Sequence, residues 1–98
     1  MGFRDDYSLE NLTNETERMV FDAIEAELAA DAKGEICRCE DCILDVAALA
    51  LNNVSPMYRV SLLGRLYAGS VDEGRYAEKV RVAVHSAIEK IKANPSHG

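Results

Sequence analysis

The stretch ICRCEDCI (residues 36–43) contains all three cysteines of the chain. Their Cys-x-Cys-x-x-Cys spacing disfavours disulfides, because neighbouring cysteines rarely reach disulfide geometry without strain. The same spacing favours a metal, because a tight turn that runs into a helix directs such thiolates at one point, and tetrahedral zinc accepts thiolates at about 2.3 Å. We therefore predict a structural zinc site with Cys37, Cys39 and Cys42 as ligands and a fourth ligand from elsewhere.

Two other interpretations of the three thiols stay open. Cysteine often behaves as a small buried hydrophobic residue, so the thiols could simply be part of the core. The Cys39-x-x-Cys42 pair could be a redox-active dithiol, since that spacing lowers thiol pKa values in oxidoreductases. The strand-helix-strand context and the Trp or Pro neighbours that would support a redox role are missing from this sequence. Metal binding is the favoured interpretation.

Length and composition indicate one globular domain. The chain has 98 residues, of which 48% are hydrophobic, and it has no run of about eighteen apolar residues that could span a membrane. Its first residues, MGFRDD, lack the apolar region of a secretory signal. We therefore expect a cytoplasmic protein, in which thiols stay reduced and able to hold a metal.

The net charge of −6 is unevenly distributed. Residues 1–50 contain thirteen acidic and four basic side chains, whereas residues 51–98 contain four acidic and seven basic ones. The overall acidity argues against direct binding of a nucleic-acid duplex, which needs a cationic surface. The basic second half leaves room for a small anionic ligand, although a solvated surface is the commoner cause of such asymmetry.

Hydrophobic periodicity predicts a first long helix that starts at Asn14 and stops near Lys33-Gly34. Asn14 and Glu17 have the form of a capping box, and Gly34 supplies the left-handed conformation that ends many helices. The apolar residues at helical spacing are Val20, Ala23, Ile24, Ala26 and Leu28, with Phe21 flanking.

Two further long helices are predicted over about 41–53 and 72–93, with Asp41 and Asp72 as N-caps. The first is apolar around most of its circumference, which predicts burial both inside a bundle and at a subunit interface. The second ends at Asn94-Pro95. Its apolar stripe consists of Tyr76, Val80, Ala83, Val84, Ala87, Ile88 and Ile91.

The segment 57–67, which follows Ser55-Pro56, is ambiguous. Its β-branched and aromatic residues allow a short extended piece, whereas its leucine spacing favours a short helix, which we predict. With 1–12 as an N-terminal arm, the sequence predicts an all-α domain over 13–98. This domain is a compact bundle of three long helices plus one short helix, with a zinc-stapled turn between the first two long helices.

The runs CRCEDC (37–42) and DVAALALNNVSPMY (45–58) together resemble the late-competence ComFB family. Its members carry a Cys-x-Cys-x-x-Cys group and then a D-x-x-A-x-A-L-N-x-x-P-x-x-Y-like segment. The clear resemblance covers about residues 36–60 and the flanking helices agree in length and order. It implies a small helical homodimer with one zinc ion per subunit, and a regulatory role rather than a catalytic one.

The resemblance also bears on the fourth zinc ligand. Some members of the family have a further cysteine near the C-terminus as a ligand, and this chain has none. His97 stands at roughly the matching place and is our first candidate, with His85 second. Water or another subunit stays open as the alternative source, because tetrahedral zinc needs four ligands.

The same resemblance implies a ligand, because ComFB-like domains have been linked to cyclic dinucleotide messengers such as cyclic di-GMP and cyclic di-AMP. Such a molecule has two phosphates and two stackable bases, so its site needs guanidinium groups and flat side chains. Arg59 and Arg65 are the predicted phosphate contacts, and Tyr58 and Tyr67 the predicted stacking residues. The alternative is a core position for Tyr58 and solvated arginines.

Other functional classes fit the sequence less well. An enzyme would need an open position on the zinc and a general base, and only Glu40 and Asp41 lie beside the cysteines. A nucleic-acid-binding zinc module would need two paired ligand knuckles, and this chain has one. We therefore expect a non-enzymatic cyclic dinucleotide sensor that signals to competence or motility machinery. The alternative is a structural adaptor that binds only proteins.

Overall fold

The computed structural model describes residues 2–60 and 73–95, and these are mostly helical. A short helix α1 and a 3-10 turn precede a strand β1 that leads into the long helix α2. Helix α3, strand β2 and helix α4 follow. Their bounds are α1 Phe3–Asp6, 3-10 turn Leu9–Asn11, β1 Thr13–Asn14, α2 Glu15–Ala30, α3 Glu40–Leu51, β2 Tyr58–Arg59 and α4 Glu73–Ala93. The three long helices predicted from the sequence are confirmed, and the Asp72 cap lies outside the described residues.

The core lies between α2, α3 and α4, which pack against one another along their apolar stripes. Each fully buried valine side chain contributes roughly 1.5–3 kcal/mol of hydrophobic stabilisation. Apart from the polar Thr16 and the thiol of Cys42, the buried side chains within residues 2–60 and 74–95 are Val20, Ile24, Val46, Ala47, Ala50, Val80, Val84, Ala87 and Ile88. Within the described part of the chain, no helix is long and apolar enough to cross a membrane.

Contacts at the two ends of the bundle give the helix directions. Thr16 contacts Tyr76 near the starts of α2 and α4, and Glu27 contacts His85 further along both helices. The two helices therefore run in the same direction. Ser55, just beyond the end of α3, lies beside Thr16, so α3 runs opposite to both.

Strands β1 and β2 form a two-stranded antiparallel ribbon with Thr13 opposite Arg59 and Asn14 opposite Tyr58. The predicted short helix is therefore wrong at its start, and the extended alternative holds at Tyr58 and Arg59. Tertiary hydrogen bonds between Met57 and the start of α2 explain the extended conformation. The side-chain oxygen of Asn14 accepts a hydrogen bond from the Met57 amide at 2.7 Å, and the Met57 carbonyl accepts one from the Glu15 amide at 2.8 Å. The remainder of that prediction, residues 61–67, lies outside the described residues.

Two predicted helix boundaries also shift. Asn14 caps α2 as predicted, but its side chain accepts from the Thr16 amide and not from that of Glu17. Helix α2 ends at Ala30, before Lys33, because the Asp31 carboxylate binds amides of the following loop. Gly34 does adopt the left-handed conformation, with φ of 67°.

A buried hydroxyl junction joins the starts of α2 and α4 to the end of α3. The Thr16 hydroxyl donates to the Ser55 carbonyl at 2.9 Å and lies 2.5 Å from the Tyr76 hydroxyl. The Tyr76 hydroxyl also donates to the Ser55 carbonyl. Thr16 is only 1% exposed, so this junction satisfies polar groups that would otherwise be costly to bury.

Tyr76→Phe removes one hydroxyl from this junction without changing the packing volume appreciably. We expect it to lower the free energy of unfolding by about 1–2 kcal/mol, because the Ser55 carbonyl loses one of its two hydroxyl donors. Urea denaturation measures this change. Tyr7→Phe, at a side chain that is 60% exposed, is the matched control and should leave the stability unchanged. Equal stability of both variants would contradict the role of the junction.

Candidate metal centre

The three cysteines come together at the connection between α2 and α3. Cys37 lies in the loop, Cys39 is the N-cap residue of α3, and Cys42 lies in its first turn. Their three sulfur atoms lie within 4.8 Å of one another. Cys42 is 1% exposed, whereas Cys37 and Cys39 are half-buried. We call these three residues the thiol cluster, and it opens to solvent on the side away from the core.

The loop before the thiol cluster is shaped by contacts that do not involve sulfur. The Asp31 carboxylate accepts hydrogen bonds from the amides of Glu35 at 3.0 Å and Ile36 at 2.9 Å. The Arg38 guanidinium, between the first two cysteines, donates to the Leu28 carbonyl at 2.7 Å at the end of α2. These contacts fold the chain back so that Cys37 lies beside the start of α3.

Asp31 is held as a carboxylate by this arrangement. The hydrogen bond from the Ile36 amide is the main cause that lowers the pKa of Asp31 below its ordinary value, against the opposing effect of desolvation. The Glu35 amide and the charges of Arg38 and Lys92 lower it further. Asp31 therefore stays charged, and keeps its hydrogen bonds to the loop, at lower pH than an ordinary aspartate would.

The start of α3 is capped by sulfur, since the Cys42 amide donates to the Cys39 Sγ at 3.4 Å. Asp41 was predicted as this N-cap, and that prediction is wrong, because α3 begins one residue before Asp41 at Glu40. A helix N-terminus favours negative charge, so the position suits a thiolate. The thiol cluster therefore includes the N-terminal cap of α3.

Without a cation, the three sulfur atoms oppose one another's ionisation. The amide of Cys42 lowers the pKa of Cys39, but hydrogen bonding with Cys37, burial, hydrogen bonding with the Cys42 thiol and repulsion from Cys37 together raise it above its ordinary value. A divalent cation reverses this balance, because it stabilises all three thiolates at once. The arrangement therefore fits a metal ion better than three neutral thiols.

The two histidine candidates are placed differently. His85 lies on α4 with its Nδ1 3.2 Å from a carboxylate oxygen of Glu27, and it is not among the side chains that gather at the thiol cluster. His97 lies outside the described residues. The identity of the fourth ligand therefore stays a prediction.

The residues predicted to hold a cyclic dinucleotide are only partly described. Tyr58 is 61% exposed, so the alternative of a core tyrosine does not hold. Arg59 is half-buried on the same strand, and successive side chains of a strand point to opposite faces. A ligand that contacts both Tyr58 and Arg59 must therefore extend from one face of the ribbon to the other. Arg65 and Tyr67 lie outside the described residues.

Sequence reasoning missed Asp31 and Arg38, the residues that shape the loop. No role was predicted for either residue: Asp31 follows the apolar stretch of the first helix, and Arg38 lies between two cysteines. An aspartate shortly before a glycine turn is a usable signal, because Asp side chains often bind amides of the following residues. Nothing in the sequence identifies the Leu28 carbonyl as the partner of Arg38.

Metal binding should depend on pH, because the thiols must lose protons before they bind a metal. As Cys39 is protonated at neutral pH, its proton leaves when the metal enters, so affinity should fall as pH falls. The apparent zinc affinity should change about tenfold per pH unit for each proton released. A competition titration with a chromophoric chelator between roughly pH 6 and pH 8 measures this. An affinity independent of pH in this range would contradict thiolate ligation.

Comparison with known proteins agrees with the resemblance noted in the sequence. A family model described as "Late competence development protein ComFB" matches residues 13–95. The match extends from β1 to the end of α4 and includes the thiol cluster, the α3 helix and the ribbon. No curated protein matches the chain. The chain belongs to the ComFB family of late competence development proteins.

Proposed function

We propose that this protein is a non-enzymatic regulatory domain whose helical frame is stapled by zinc and which responds to a cyclic dinucleotide. The observation that carries the proposal is the thiol cluster, in which three sulfur atoms lie within 4.8 Å of one another at the start of α3. The proposed domain works as a homodimer and signals to competence or motility machinery.

Zinc is the proposed ion because thiolates are soft ligands and structural sites with three or four cysteines are typical of it. His97 is the proposed fourth ligand. The end of α4 lies beside the thiol loop, since the Lys92 ammonium is 3.7 Å from a carboxylate oxygen of Glu35. His97 follows Ala93 by four residues, and an extended chain spans roughly 13 Å over that length. The nearness of the end of α4 to the thiol loop supports His97 as the proposed ligand.

A structural role suits this ion better than a catalytic one. Three thiolates donate much negative charge to zinc, which weakens the Lewis acidity that metal-assisted hydrolysis requires. The cluster also forms the N-terminal cap of α3, so a change in ligation would disturb the fold. Structural zinc contributes directly to folding free energy. We therefore assign the metal to stability.

The proposed messenger site includes Tyr58 and Arg59 on β2. Tyr58 is exposed enough for a base to stack on it. The Arg59 guanidinium can bind a phosphate through two parallel hydrogen bonds. Arg65 and Tyr67 follow closely in the sequence and are the proposed second pair. The excess of basic over acidic side chains in residues 51–98 is consistent with a small anionic ligand.

A dimer is proposed from the apolar surface of the long helices. Leu44 on α3 and Val82 on α4 are 58% and 59% exposed, although α3 is already buried on its other side. Exposed apolar side chains on a core helix are common at subunit interfaces. The same surface supports the alternative function, an adaptor that binds other proteins and no nucleotide.

Cys39→Ser tests the zinc staple. We expect the metal content to fall well below one ion per chain and the melting temperature to drop, because a structural ligand is lost. Elemental analysis and thermal melting of freshly reduced protein measure both. Ala48→Ser, at an exposed position of the same helix, is the matched control. A full metal content in the Cys39 variant would contradict the assignment.

Isothermal titration with cyclic di-GMP and with cyclic di-AMP tests the messenger. We expect one of them to bind the metal-loaded protein and Arg59→Ala to weaken that binding about tenfold, as for the loss of a charged hydrogen bond. The exposed Arg4 in α1 provides the control variant, Arg4→Ala, which should bind normally. If neither nucleotide gives heat or thermal stabilisation, the messenger proposal fails and the adaptor function remains.

A further inference from the structure

Three large exposed apolar side chains lie in a single cleft at the start of α2. Leu12, Phe21 and Tyr58 are 48%, 46% and 61% exposed, and all three line one cavity of about 510 Å³. Singly exposed apolar residues are normal on protein surfaces, whereas several gathered in one concave place mark a binding surface. We call this place the Phe21 cleft.

The Phe21 cleft is also acidic. Glu15, Glu17 and Asp22 line it together with a single cation, Arg18. Arg18 bridges two of the carboxylates, with its Nε 3.2 Å from Glu15 and its Nη1 3.3 Å from Asp22. Three carboxylates and one guanidinium give the cleft a net negative charge. Because Arg18 contacts two of these carboxylates, their spacing suits a guanidinium group.

This combination selects the chemistry of the occupant. A hydrated inorganic cation would leave the apolar surface of Leu12 and Phe21 uncovered, and an uncharged apolar ligand would gain nothing from the carboxylates. An anionic group would be repelled by the carboxylates. A lysine or arginine side chain satisfies both features, since it carries a cation on an apolar stem.

We propose that the Phe21 cleft docks a basic segment of a partner protein, with its Lys or Arg stems against Phe21 and Tyr58 and its charges at Glu17 and Asp22. The charge complementarity of the cleft is the argument for this occupant. The site is separate from the thiol cluster and takes a ligand opposite in charge to a cyclic dinucleotide. Tyr58 lines this cleft and is also the proposed stacking residue of the messenger site, so the two ligands would compete for its ring. The neighbouring Arg59 does not line the cleft.

Fluorescence anisotropy with the full chain tests the proposal. The probe is a fluorescein-labelled peptide of alternating Lys and Leu, compared with alternating Glu-Leu and Lys-Gly peptides. The Lys-Leu peptide should bind tightest, because it alone offers both charge and apolar surface. Equal binding of the Lys-Gly peptide would show attraction to acidic surface only and would overturn the proposal, as would equal binding of the Glu-Leu peptide.

Variants locate the binding. We expect Phe21→Ala to weaken it about fivefold, since an exposed cation–π contact is worth about 1 kcal/mol. The double variant Glu17→Gln/Asp22→Gln should weaken it about tenfold and flatten its salt dependence. The controls Phe3→Ala and Glu25→Gln change exposed residues outside the cleft and should bind as the unchanged protein does. Binding unaffected by either cleft variant would place the peptide elsewhere and refute the assignment.

Discussion

The gathering of three thiols at the start of α3 is the constraint on which the proposed site depends. Their sulfur atoms lie within 4.8 Å of one another. The Cys42 amide lowers the pKa of Cys39, but hydrogen bonding with the neighbouring thiols, burial and repulsion from Cys37 together raise it, and a bound cation would favour the ionised forms instead. Because Cys39 also caps α3, an ion held there would fix the start of that helix. The polar contacts of Asp31 and Arg38 bring the loop to the cluster, so a metal bound there would close a turn that is already shaped.

The opposite end of the bundle is held by different chemistry. There the hydroxyls of Thr16 and Tyr76 converge on the Ser55 carbonyl, and Asn14 binds the backbone on both sides of the ribbon junction. The apolar stripes of α2, α3 and α4 fill the space between the two ends. A chain of 98 residues has a limited core. The hydroxyl junction and the Asn14 hydrogen bonds therefore help to define one arrangement of the three helices.

The long helices and the gathering of the three cysteines could be predicted because each depends on local sequence spacing. Helical periodicity places Val80 and Val84 in the core, and the spacing of the three cysteines places their sulfur atoms together. The ribbon could not be predicted, because Tyr58 and Arg59 become a strand only through pairing with Asn14 and Thr13, far away in sequence. Likewise, the end of α2 depends on amides that reach Asp31 only once the loop has folded.

The function proposed for this ComFB-family chain is that of a regulatory domain in which a bound metal would stabilise the helices and surface residues would bind the ligands. The central claim is that one ion is held by all three cysteines. X-ray absorption spectroscopy at the metal edge of the purified, reduced protein tests this claim most directly. The account predicts three sulfur neighbours at about 2.3 Å and one nitrogen or oxygen neighbour at about 2.0–2.1 Å from zinc. A first shell with fewer than three sulfur atoms, or a protein that is well folded with no metal, would contradict it.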